Sequence, residues 1–184
     1  MRKIICIILL IAILIFIGYL IVINTVYNEE IETITEYTPE VEISDEELRN
    51  TIVTLYFVDA ETGSISSEAR LIDSKELLRE PYITLVNMLI EGPKSSGLSS
   101  IISSNTEVLN STLNGTCVTL DLSEEFVNNA PEDGIQKSNM IYTIVNTLTE
   151  LKEVDSVKFL INGESISGFD EAGINLTSEF VRME

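Results

Sequence analysis

The sequence predicts an α+β fold: a small mixed β-sheet with two main helices packed on one face, in the order ββαββαβ, preceded by one N-terminal transmembrane helix. Three observations point there. A run of apolar residues fills Ile4 to Ile23. Several short segments alternate apolar and polar residues and are rich in β-branched and aromatic side chains, the period of half-buried strands. Two longer segments repeat apolar residues at i, i+3, i+4 and i+7, the period of a helix with one buried stripe.

The apolar run, "IICIILLIAILIFIGYLIVI", comes first. About 20 residues at about 1.5 Å each span roughly 30 Å, the thickness of a bilayer core. No A-x-A pattern follows it, so an uncleaved anchor over residues 4–23 is expected rather than a removed signal peptide. Arg2 and Lys3 precede the run, which places residues 1–3 in the cytoplasm and everything after Asn24 outside the membrane. Cys6 lacks the small-residue context of a lipoprotein cysteine, so no lipid is expected on it.

Residues 24–50 read as an acidic, flexible stalk. Acids are dense, apolar residues are scattered singly and Pro39 interrupts any helix, so little apolar surface is available to offset the entropy of ordering. Its r.m.s. reach as a flexible chain is about 30 Å.

A domain over residues 51–184 follows. "TIVTLYFVD" is a strand that ends in the turn residues "DAETGS", and "SSEARLID" is its hairpin partner. "PYITLVNMLIEGP" is the first helix: Pro81 suits the first helical position, Tyr82, Leu85, Val86 and Leu89 form the stripe, and Gly92-Pro93 stop it. Two strands flank "LNGT", with Val118, Leu120 and Leu122 on one face and Cys117, Thr119 and Asp121 on the other. Ser123 has the character of a helix cap, with Glu124 and Glu125 near the positive helix end. The second helix carries Ile141, Ile144, Val145, Leu148 and Leu151 as its stripe. "SVKFLIN" is the last strand, Asn162-Gly163 turns it, and the less regular tail packs back over the sheet.

Composition narrows the function. The net charge is −19, and the part beyond Arg2 and Lys3 is more acidic still, which repels nucleic-acid phosphates and anionic lipid headgroups. No nucleic acid partner is expected. The chain has no histidine, which removes Ser-His-Asp and Cys-His catalysis and histidine-ligated metals. Of two cysteines, Cys6 lies in the anchor, leaving Cys117 as a small half-buried side chain or, less simply, an intermolecular disulfide partner.

Asp121, Glu124 and Glu125 are the nearest approach to a paired-carboxylate site, but adjacent acids at a helix start are ordinary dipole partners. "NNAPEDG" lacks the alternating ligand ladder of a calcium loop, and "EGPKSSG" lacks the spacing of a phosphate loop. Glu68 and Arg70 are either a recognition pair or an edge-strand ion pair of little energetic weight. The glycosylation-type triplets at Asn110, Asn114 and Asn175 carry no functional expectation. Catalytic, cofactor-binding and metal residues are therefore expected to be none, and the chain is read as no enzyme.

The segments "VTLYFVD", "SEARLI", "LIEGP", "VTLDLSEEF", "YTIVNTLTEL" and "VDSVKFLING" resemble, in order and spacing, the GerMN domain, the sporulation and germination module. The resemblance covers about residues 51–182 in a single copy. It implies a membrane-tethered, extracytoplasmic protein-interaction module of an endospore-forming or related bacterium, with a fold likened to ring-building modules of secretion systems. The partners it implies are other envelope or sporulation proteins, or further copies of itself. The single copy and the spanning helix depart from the two-copy, lipoprotein-anchored namesake. A peptidoglycan- or carbohydrate-binding (or carbohydrate-active) envelope domain is the alternative, disfavoured by the absence of tryptophan. A small-ligand sensor is a third.

Overall fold

The computed structural model describes residues 13–24 and 49–183, and the chain divides into two compact units, residues 1–42 and 43–184. In the first unit, residues 13–24 are helical and exposed. Among the described residues no helix is long and apolar enough to cross a membrane; the remainder of the span expected over residues 4–23 lies outside them. Most of the expected stalk, residues 25–48, also lies outside the described residues.

The second unit opens with the expected hairpin, β1 (Asn50–Asp59) and β2 (Ile65–Asp73), antiparallel with Val53 opposite Arg70 and Leu55 opposite Glu68. Its turn is organised by Asp59, whose carboxylate accepts hydrogen bonds from the Glu61 and Thr62 amides and the Thr62 hydroxyl. Alternation buries Val53, Leu55 and Phe57. A short helix, α1 (Ser74–Arg79), starts on Asp73, which accepts from the Lys75 amide at 2.8 Å. Its six residues are too few to display an apolar stripe, so periodicity does not reveal it. Helix α2 (Pro81–Glu91) follows as expected, with Leu85, Val86 and Leu89 buried and Gly92 at φ +96 ending it. A two-residue strand, β3 (Leu98–Ser99), then pairs with the end of β1.

Strands β4 (Val108–Asn114) and β5 (Cys117–Leu122) form the second hairpin. Asn114 pairs with Cys117, so the two-residue loop is Gly115-Thr116 rather than Asn114-Gly115. Gly115 has φ +64 at the first loop position and Thr116 has no positive φ, the type II′ pattern. Val118, Leu120 and Leu122 are buried, as their alternation predicts. Ser123 is not the cap it was expected to be. Its hydroxyl accepts from the Glu107 amide at 3.0 Å, and the short helix α3 (Glu125–Asn128) starts on Glu124 without a side-chain cap. That helix delivers Phe126 into a stack with Phe159, ring centroids 5.9 Å apart.

Helix α4 (Gly134–Leu148) is capped by Asp133, which accepts from the Ile135 and Gln136 amides. Ile141, Ile144, Val145 and Leu148 are fully buried; Leu151 lies beyond its end and is half-buried. Strand β6 (Ser156–Ile161) pairs parallel to β5. Asn162 (φ 50) and Gly163 (φ 78) close the tight turn predicted there. A small ribbon, β7 (Gly168–Phe169) with β8 (Ile174–Asn175), encloses a 3-10 turn at Asp170–Ala172, and β9 (Glu179–Val181) pairs antiparallel to β6.

The expected mixed sheet exists, with strand order β4-β5-β6-β9, but it does not contain the first hairpin. That hairpin forms a separate sheet, β2-β1-β3. The cause is local to the second edge of β1. Beyond its short pairing with β3, this edge meets α4, and the Tyr56 amide donates to the Thr147 hydroxyl at 3.0 Å instead of to another strand. Helix α4 packs against β1 and also touches β6 and β9, so one contiguous core joins both sheets.

Candidate interaction surface and buried charges

The acids singled out by sequence have structural occupations. Asp121, on β5, accepts the Gly163 amide at 2.8 Å and so fixes the turn after β6. The Ser123 hydroxyl holds the Glu125 carboxyl below its usual range, the opposite direction from a proton-donating acid. Asp133, in the "NNAPEDG" segment, is the cap of α4. Among the described residues no group of three or more histidine, cysteine or acidic side chains is arranged to hold a metal ion. Cys117 is a free, half-buried thiol.

Glu68 and Arg70 are where sequence reading departs furthest from the structure. They are not an exposed edge pair. Both point into the domain, 6% and 5% exposed, and they bond to each other. Glu68 also accepts the Lys94 and Ser95 amides at 2.9 and 2.7 Å. Arg70 donates to the Gly92 carbonyl at 3.0 Å and lies 5.7 Å from the Phe57 ring centroid. Burial works to raise the Glu68 carboxyl, but Arg70 and the Ser95 amide outweigh it and lower it to about 2. The pair therefore fastens the loop after α2 onto β2. It links "SEARL" to "EGPKSS", two segments whose partnership sequence spacing does not reveal.

Two further charged groups were not foreseen. Lys137, in the first turns of α4, is buried, bonds to Glu171 at 2.5 Å and sits 5.3 Å from the Phe169 ring centroid. Near the C-terminus Arg182 pairs with Glu150 at 2.6 Å and lies over Tyr56, whose hydroxyl donates to Glu150 at 2.7 Å. Tyr56 does most to hold the Glu150 carboxyl below its usual range, and Arg182 adds to it. Both clusters bind the chain's own segments together.

Several large apolar side chains also face outward. Ile52 on β1 and Leu71 on β2 are cross-strand neighbours on the solvent face, 70% and 62% exposed. Leu78 on α1 is 83% exposed. The outer strand β4 presents Leu109 and Leu113 beside an irregularity in pairing between Val108 and Asn110. Exposed apolar pairs on sheet faces and unpaired strand edges are features of surfaces that other chains cover.

Comparison with known proteins bears on the same fold. The family model described as "Sporulation and spore germination" matches residues 54–167. The tandem GerMN domains of the sporulation protein GerM from Bacillus subtilis superpose with a TM-score of 0.54 at 25% identity, covering 64% of this chain and 41% of that one. The first GerMN domain of the same protein gives a TM-score of 0.61 at 19% identity, covering 73% of this chain and 99% of that one. No curated protein matches. This chain thus spans 41% of the tandem structure's length, the extent of a single repeat. With more than half of its residues matched by the family model, and its fold shared with those domains, the chain belongs to the sporulation and spore germination family of GerMN domains.

Proposed function

We propose that this protein is a non-enzymatic assembly module of the bacterial envelope, linked to sporulation or germination. In this reading the apolar N-terminal run anchors it in the cytoplasmic membrane, and the domain stands outside, binding another envelope protein or further copies of itself. The observation that carries the reading is the Ile52–Leu71 pair, a cross-strand apolar contact left open to solvent. The charged groups most withdrawn from water, Glu68, Arg70 and Lys137, are used in internal bonds, which leaves recognition to the exposed surface. Confinement of anchor and partner to one membrane raises their effective concentration, so a modest interface suffices.

Two measurements test this. A cysteine placed at the exposed Glu61 should react with a membrane-impermeant maleimide on intact cells; labelling only after lysis would overturn the location. A photo-crosslinking residue at Ile52 in the full chain should give a discrete protein adduct in native membranes, with none from the same group at the exposed Glu153. Retention of the protein on purified cell wall without any adduct would instead favour a carbohydrate-binding domain.

A further inference from the structure

Among the described residues, strand β2 is the outermost strand of its sheet, and its outer edge faces a cleft. The hairpin register decides which backbone groups that edge presents. The Asp59 amide donates to the Ser64 carbonyl, which makes residues 66, 68, 70 and 72 the ones that bond to β1. Tyr56 agrees with this phase: its amide turns away from β2, toward Thr147. The N–H and C=O groups of Ser67, Ala69 and Leu71 therefore point outward, and among the described residues no strand pairs with them.

Opposite this edge stands α2. Thr84, Asn87, Met88 and Glu91 recur at i, i+3, i+4 and i+7 and form one face, the far wall of a cleft of about 420 Å³. A free strand edge facing a helix across a groove is the geometry in which extended peptides add to sheets.

We propose that this groove binds an extended peptide segment of a partner protein as an additional strand on β2, with Lys or Arg on alternate residues. This rests on the reading of the domain as an interaction module and names the kind of partner. Charge selects the occupant. Asp73, Glu76, Glu91, Arg70 and Lys94 line the groove; Arg70 is bonded to Glu68 and Asp73 to Arg49, which leaves Glu76 and Glu91 against Lys94. Acid is thus in excess at the wall, as it is in the chain, whose net charge is −19. Two copies of so acidic a chain repel each other, which favours a basic segment from elsewhere. The other face of the added strand lies beside Leu71, which is open and apolar, with the equally open Ile52 one strand further on. The matching peptide alternates basic residues toward the groove with β-branched apolar residues away from it.

The test uses the full chain in detergent micelles, with backbone amides followed by NMR. The probe is a synthetic peptide of about nine residues alternating Lys and Val, long enough to span β2. Expected are shifts confined to residues 67–73 and 84–91 and slowed hydrogen exchange at Ser67, Ala69 and Leu71. Leu71→Pro, which removes one outward donor, should weaken binding about tenfold. The double variant Glu76→Lys with Glu91→Lys alters only exposed side chains, and should weaken it comparably while the remaining spectrum stays unchanged. Equal binding of a Glu–Val peptide, unchanged binding by the double variant, shifts mapping elsewhere or self-association through β2 would each overturn the proposal. A membrane crosslink through another face would leave the assembly reading standing and remove the groove from it.

Discussion

Glu68 spends its carboxylate entirely within the fold, on Arg70 and on two loop amides, and the consequences are measurable. Glu68→Ala strands a buried guanidinium, and breaking one side of a buried pair costs about 3–5 kcal/mol. The urea midpoint should fall accordingly. The pH dependence has a definite sign. A carboxyl held at about 2 against its usual 4.5 stabilises the fold fully above about pH 4.5 and loses that contribution as pH falls toward 2. Thermal melting of the native protein should decline through that window, and Glu68→Gln, which cannot titrate, should flatten the decline. Gly168 offers a steric counterpart. A Cβ there would lie 2.5 Å from Cγ of the fully buried Leu176, at φ +81. Gly168→Ala should destabilise by about 1–3 kcal/mol through overpacking. Gly173→Ala, at φ +70 with nothing within 4 Å, should cost only the backbone strain of about 1 kcal/mol. Denaturant titrations of the two variants separate these causes.

Among the elements, α4 stands where a strand was expected to stand. The Thr147 hydroxyl takes the Tyr56 amide, and Thr147 is fully buried, so water cannot replace it. Thr147→Val keeps the volume and removes the acceptor. It should cost about 1–3 kcal/mol and accelerate hydrogen exchange at the Tyr56 amide while its neighbours paired to β2 stay protected. The same contact explains the limit of sequence reading. Strands β1, β2, β5 and β6 and helices α2 and α4 were legible because each shows its own period over six or more residues. Strands β3 and β9 have two and three residues, too few for any period. Division into two sheets depends on a bond between residues 56 and 147, which no local pattern encodes. Strand β2 misled in a different way. Its apolar Ala69 and Leu71 face outward, while Glu68 and Arg70 face the core, because pairing with Leu55 and Val53 decides the face and internal bonding makes burial of the charges tolerable. The cleft beside β2 is likewise not legible in the sequence, because it exists only once α2 lies across from β2.

At the scale of the whole molecule, the tail closes an edge that the sheet would otherwise leave open. Strand β9 covers the outer side of β6 from Ser156 to Lys158. Phe180 meets Phe159 and Tyr142 edge to face, with centroids 5.6 and 6.2 Å away. Arg182 joins Glu150, and the Met183 amide donates to Asn146 at 3.1 Å. These contacts have unequal weight. The Arg182–Glu150 pair is partly solvated on both sides, so Arg182→Ala should cost no more than about 1 kcal/mol. Ending the chain after Thr177 removes the half-buried Phe180 as well, a loss of about 1–2 kcal/mol in apolar burial, and uncovers the edge of β6. An uncovered edge recruits other strands. The truncated protein should therefore melt earlier than Arg182→Ala and should associate with rising concentration in light scattering, whereas Arg182→Ala should behave as the parent does. If truncation leaves both melting and association unchanged, β9 is not a stabilising strand of this sheet, and the closing of that edge must be assigned elsewhere.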